Sequence, residues 1–346
     1  MNTTKTTNNG IKSTLTKKTT VLAVAAVLLV SIFGGNLMTL QAMADSGNGT
    51  SENPNVGTNV DSNHKGGNNN QAARQTLRQT LQQDEVTYKQ AVQAADLTYK
   101  QTTQNAQLAH SQAVQDANTA YNQAVNQART AYNDAVKSAH GNAAAIGQAM
   151  ATRDQVIATA QTTKINAVVS ADVTRDKAND NAWAAHETAV YAALATRDGN
   201  DGTAQSTFWT SAGNTTLATR AQTIGQAHVT EDNSISQARQ TRITAVESAI
   251  VAKDQAIGMA QTAYVNAESS AHVTLDNSYT ANSKTWNAGL QTYWNAVAPL
   301  EQTRDGAIAK ANADQVTAIG SADATRDQAI DQAYATMYGS ISAAYS

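Results

Sequence analysis

The 346-residue chain contains no cysteine, two prolines (Pro54 and Pro299) and two phenylalanines, and aromatic residues make up only 5% of it. Without cysteine there can be no disulfide scaffold, no thiolate metal site and no cysteine nucleophile. The scarcity of bulky side chains weighs against a globular enzyme core, which must be filled to crystal-like density. Apolar residues still reach 41%, largely as Ala and Val. Small apolar residues suit a narrow seam between long helices.

The N-terminus reads as an export signal spanning residues 1–44. Lys5, Lys12, Lys17 and Lys18 precede the apolar run Val21–Phe33, and Ala42-Met43-Ala44 supplies a small-x-small cleavage pattern. The run is shorter than the roughly 20 residues that span a bilayer, so no membrane insertion is expected after cleavage. Residues 45–71, rich in Gly, Asn and Ser, read as a disordered tether. Beyond the signal the chain carries 20 basic and 27 acidic residues. That balance argues against nucleic acid, whose binding rests on basic residues neutralising phosphates. The expected location is periplasmic, cell-surface or extracellular.

What fills the rest is an eleven-residue repeat. Tyr88, Tyr99, His110, Tyr121 and Tyr132 are eleven apart, and so are Ala95, Ala106, Ala117, Ala128 and Ala139. The unit at Thr87 reads TYKQAVQAADL, and later units, such as TRDQVIATAQT at Thr152 and TRDQAIDQAYA at Thr325, replace the ring with arginine. Of 23 units, 19 have Ala at the ninth position. Eleven residues in three turns give about 98° per residue, so positions 1, 5, 9, 2 and 6 share one face. The spacing predicts an all-α protein of long Ala-rich amphipathic helices, forming an elongated coiled coil or helical hairpins.

The repeat divides the chain into hendecad helices over 72–198 and 215–346. A break is expected near 141–142, a loop-rich break over 199–214, and a kink or restart at Pro299. Gly141-Asn142 and Gly213-Asn214 are expected stops. The third helix should run to about 297 and the fourth from about 299.

Position 2 is chemically odd for a seam. It holds Arg153, Lys164, Arg175, His186 and Arg197, then Arg220, Arg242, Lys253, Arg304 and Arg326, as well as the tyrosines above, Tyr264, Phe208 and Trp286. The expectation is that apolar stems cover the seam while charged heads reach water; the alternative is an interior ladder of charges that fixes register or binds an anionic ligand. Asp172, Glu301 and Asp323 stand three residues before Arg175, Arg304 and Arg326, placed to pair with them. Asp198-Gly199-Asn200-Asp201-Gly202 has calcium-loop residues but lacks the full ligand spacing, and reads as an exposed turn. The histidines are too scattered for a zinc site, and no nucleophile or phosphate-cradling motif is present. No catalytic, cofactor-binding or metal-ligating residue is therefore expected.

In pattern the repeat region resembles the right-handed hendecad coiled coils of prokaryotic surface stalks. That resemblance implies a shape: an exported structural or spacer protein acting as a rod or through self-association. The alternative is an extracellular binding module or adhesin using the 199–214 loop or the aromatics near Trp286–Trp294. Self-association, intrachain pairing and a protein partner all stay open, and no cofactor is implied.

Overall fold

The computed structural model describes residues 69–279 and 283–346, and among them every regular element is an α-helix. There are four: α1 (Asn69–Ser138), α2 (Ala143–Ser211), α3 (Thr215–Asn277) and α4 (Ser283–Tyr345). The signal segment and nearly all of the tether lie outside the described residues. At about 1.5 Å per residue each helix is about 95–105 Å long. No described helix is long and apolar enough to cross a membrane.

Helices of this length draw their stability from packing rather than from propensity. The ninth position supplies it: Ala117, Ala128, Ala171, Ala182, Ala227, Ala238, Ala249, Ala311, Ala322 and Ala333 are all buried. Larger residues, including Ile165, Ile257, Val265 and Leu275, interleave with them. Threonine at the first position satisfies itself locally. Thr87, Thr98, Thr152 and Thr163 each donate the hydroxyl to the carbonyl four residues back.

The first two turns are built alike. Gly141 (φ 86) and Gly213 (φ 77) take the left-handed conformation that ends a helix. The asparagine that follows caps the next helix: Asn142 accepts from the Ala145 N–H at 3.2 Å, and Asn214 from the Leu217 N–H at 3.0 Å. Both turns fall where the sequence places them.

Two boundaries differ from expectation. The loop-rich break over 199–214 is instead helix as far as Ser211. Its glycines serve packing, because a Cβ on Gly202 would lie 2.8 Å from the Gly225 Cα, so α2 and α3 cross at their backbones there. Burial at the crossing offsets the roughly 1 kcal/mol that each helical glycine costs. The restart expected at Pro299 is also absent: α4 runs through it. Pro299 is exposed, so the carbonyl its ring leaves unpaired faces water. The third turn comes some twenty residues earlier, beginning at Ser278.

Packing runs in series. α1 contacts α2, α2 contacts α3 and α3 contacts α4, and no seam closes α4 back onto α1. The described helices form an open antiparallel array rather than a closed four-helix bundle.

Candidate functional site

The chemistry of the molecule lies inside its seams. Position 2 of α1 meets position 2 of α2 rung by rung. The Arg153 guanidinium sits 4.7 Å over the Tyr132 ring, Lys164 Nζ 5.2 Å over Tyr121, and Arg197 4.9 Å over Tyr88. Between these, Arg175 Nη1 lies 3.3 Å from His110 Nε2, and the Tyr99 ring lies 5.8 Å from His186. The two residues of each of the five rungs are equidistant in sequence from the Asn142–Ala143 bond. The expectation that the heads reach water is therefore corrected. Arg153 and Arg175 side chains are only 16% and 14% exposed. An arginine stacks well because its planar guanidinium is weakly hydrated.

Each stacked arginine also needs an anion. The repeat supplies one in the next residue, so Thr-Arg-Asp is a unit. Arg153, Arg175 and Arg197 donate Nε to Asp154, Asp176 and Asp198 at 2.6, 2.7 and 2.9 Å. On α4, Arg304 and Arg326 do the same with Asp305 and Asp327. Of the acids expected three residues earlier, Asp172 and Asp323 do reach Arg175 and Arg326, at 3.1 and 3.2 Å. The expected partner of Arg304, Glu301, is replaced in that ion pair by Asp305.

The aspartates point onward to α3, where carboxylates outnumber cations. Asp172 binds His110 Nε2 at 2.7 Å, yet burial raises its pKa despite Arg175 and His110. Asp180 is pushed up to about 7 by burial, Glu247 and Asp176. Asp254 rises to about 6 through burial and Asp176 and Asp172, although Lys253 lies 3.2 Å away. Farther along, Asp201 rises to about 6 by burial beside Asp84, and Asp232 to about 7 by burial beside Asp198 and Glu231. Among the described residues, Oδ2 of Asp180 and of Asp232 has no hydrogen-bond partner. At the other end Asp154 faces Asp276, which is fully buried. Burial pushes the Asp154 carboxyl up, but Arg153 outweighs it and holds that carboxyl low.

The residues singled out as contact surfaces are mostly internal. Tyr293 is 5% exposed, packs with Leu275 and Val297, and bonds His272 at 2.8 Å. Trp286 packs against the same cluster. Trp183 stacks on His186 at 5.3 Å as part of a rung, and Phe208 and Trp209 meet edge-on at 5.0 Å within α2. Of these rings, Trp294 alone is largely outward, at 52% exposure. The segment 198–202 is helical; Asp198 pairs with Arg197 at 2.8 Å, and Asn200 donates to Asp84 at 3.1 Å. No group of three or more His, Asp or Glu among the described residues is arranged to hold a metal ion.

Sequence reasoning missed the acidic interior. Its signal was present: on α2 the Asp that follows Arg153, Arg175 and Arg197, at 22-residue intervals, occupies a fixed face, the one α3 covers. No family model, curated protein or solved structure matches the chain.

Proposed function

We propose that the chain is an exported structural spacer, a self-contained helical plank about 100 Å long that holds attached elements apart. One observation carries this reading: helices of 63–70 residues fold back in series, and arginines of the α1–α2 seam are spent on rings and aspartates of the same chain. A ladder of this kind fixes register and resists shear, as a spacer requires. Export is supported by the lysine-flanked apolar run and cleavage pattern of residues 1–44. Small-angle X-ray scattering with light scattering tests it. A longest dimension near 100 Å or above is expected, and a globule-sized radius refutes it.

A second reading, a binding module, is favoured by the exposed rings on α4. Trp294, Tyr334 and Tyr338 are 52%, 40% and 65% exposed, and aromatics are favoured binding anchors. Its test is loss of adhesion in a Trp294→Ala, Tyr338→Ala chain that keeps its melting temperature.

A further inference from the structure

The serial packing leaves α1 and α4 as open edges, each with one face covered by a single neighbour. On α1, Val86, Leu97 and Leu108 are 47%, 57% and 68% exposed. They are eleven residues apart, so they form one line. Leu97 and Leu108 each follow a rung residue by nine positions, which places the line about 160° around the helix from the α2 seam. A column of exposed glutamines runs along either side: Gln90 and Gln101 on one, Gln93 and Gln104 on the other. No charged residue interrupts these three columns between 79 and 119. Apolar side chains exposed in register along one uncharged face mark a candidate contact surface.

The α4 edge differs. Trp294, Val316 and Tyr338 are also in line, at 22-residue intervals, but the positions midway are Asp305 and Asp327, whose side chains are 65% and 61% exposed. A partner laid on that line would have to cover two carboxylates.

We propose that the open edge of α1 is the contact surface for a second copy of this chain, packed antiparallel about a two-fold axis at Leu97. The proposal rests on the structural reading above and names its partner. Three arguments select this occupant. A two-fold contact must be self-complementary, and about this axis Leu97 meets the second copy's Leu97 while Val86 meets the second copy's Leu108. All three apolar residues are then covered; an axis shifted by half a unit leaves one bare. The rims are self-complementary as well. Gln90 comes beside the second copy's Gln101, and Gln93 beside the second copy's Gln104, each offset by three residues or about 4.5 Å. A glutamine both donates and accepts, so like can face like, as lysine or aspartate cannot. Lastly, every seam among the described helices is antiparallel between neighbours, and an antiparallel α1 pair carries the same alternation across the contact. Lys89 and Lys100 flank the glutamines and are exposed, so their heads stay in solvent.

The cysteine-free chain suits a cross-linking test. Leu97→Cys should give a covalent dimer on mild oxidation, because the two sulfurs meet at the axis within disulfide reach. Val86→Cys alone should not, since the two copies of residue 86 lie about 33 Å apart, but mixed with Leu108→Cys it should cross-link. Light scattering on the purified unmodified chain should give twice the mass of one chain, and Leu97→Glu should halve it without changing helicity. A single-chain mass for the unmodified protein overturns the proposal. So does self-cross-linking of Val86→Cys, which signals a parallel pair, or cross-linking between Leu97→Cys and Val316→Cys, which signals an α1–α4 chain of copies. If the mass is single but the length stays near 100 Å, this contact is refuted while the spacer reading stands. A globule-sized length removes both.

Discussion

Replacing Asp232 by asparagine should stabilise the protein strongly at pH 8 and only weakly at pH 4.5. Asp232 is 5% exposed, with Oδ2 unpartnered among the described residues. Glu231 and His228 face it from α3, Asp198 and Arg197 from α2, and Tyr334 from α4. Burial first, then Asp198 and Glu231, push its pKa from 3.8 to about 7. Between about pH 4 and 7 the folded chain thus holds a proton that the unfolded chain has released. Folding stability must fall as pH rises through that window. A rise of about three pKa units at about 1.36 kcal/mol each sets a ceiling of about 4 kcal/mol. Water reaching the ionised carboxylate lowers the cost below that ceiling. Asparagine keeps the shape of the protonated acid and cannot ionise. At pH 8, Asp232→Asn should therefore gain about 2–4 kcal/mol, or about 5–10 °C in melting temperature for a chain of this size. At pH 4.5, where the unfolded carboxyl is already mostly ionised, the gain should shrink to about 1 kcal/mol.

The wild-type melt carries the same sign. Asp180, Asp201 and Asp254 have raised values of about 7, 6 and 6, and each adds stability at low pH that is lost as pH rises. His228, raised by its hydrogen bond to Glu231, contributes below its unfolded pKa and loses that contribution as pH climbs through the folded one. Asp154 acts oppositely, being held below 3.8, and loses its contribution only in stronger acid. Circular dichroism melts should place the optimum near pH 4–5. A wild-type melting temperature that is flat or rising from pH 4.5 to 8 refutes the reasoning, as does an Asp232→Asn chain that is weaker at pH 8.

Arg175→Ala should cost about 3–5 kcal/mol, because Asp172 and Asp176 would lose the guanidinium that bonds both in the seam. Asp305→Ala, which removes an exposed partner, should cost under about 1 kcal/mol by the same denaturant titration. Gly202→Leu should destabilise by at least about 1–3 kcal/mol, since its side chain would enter the Gly225 backbone; a neutral melt would show that the helices do not touch there. Asn142→Ala should cost about 1 kcal/mol through the lost cap on α2. Deleting 109–119 moves Tyr99 onto Arg175 and should keep a cooperative melt, whereas deleting 109–113 turns the rings off the seam and should lose it.

The fold was legible because the seam is periodic. Alanine at the ninth position and glycine followed by asparagine at two turns mark residues whose structural role admits few substitutes. The third turn was not legible, because the eleven-residue register continues numerically through 274 and 285 and hides the reversal at Ser278. Pro299 drew attention away from it, yet its position on the exposed side of α4 leaves the helix continuous. Asp198 to Gly202 misled for a related reason. Glycine signals either a turn or a close backbone approach, and only the partner, Gly225 on another helix, distinguishes them. The acidic interior needed α3 in place, since a carboxylate column becomes a buried cluster only when something covers it.

Intrachain pairing of α1 with α2 also follows from position 2. On α1 that position is aromatic (Tyr88, Tyr99, His110, Tyr121, Tyr132), and on α2 it is cationic (Arg153, Lys164, Arg175, His186, Arg197). Two α2 helices joined by this face would set cation against cation in a dry seam. Two α1 helices joined by it would stack rings on rings and leave the guanidinium groups without faces. The mixed pair gives a cation–ring contact at three rungs, each worth about 0.5–2 kcal/mol. The same rungs could form between α1 of one copy and α2 of another. The four residues between Ser138 and Ala143 decide against that exchange, because a short connection gives the intrachain partner an effective concentration in the millimolar range. The rung face is thereby consumed within the chain, and only the opposite face of α1, with its leucines and glutamines, is left to meet another copy.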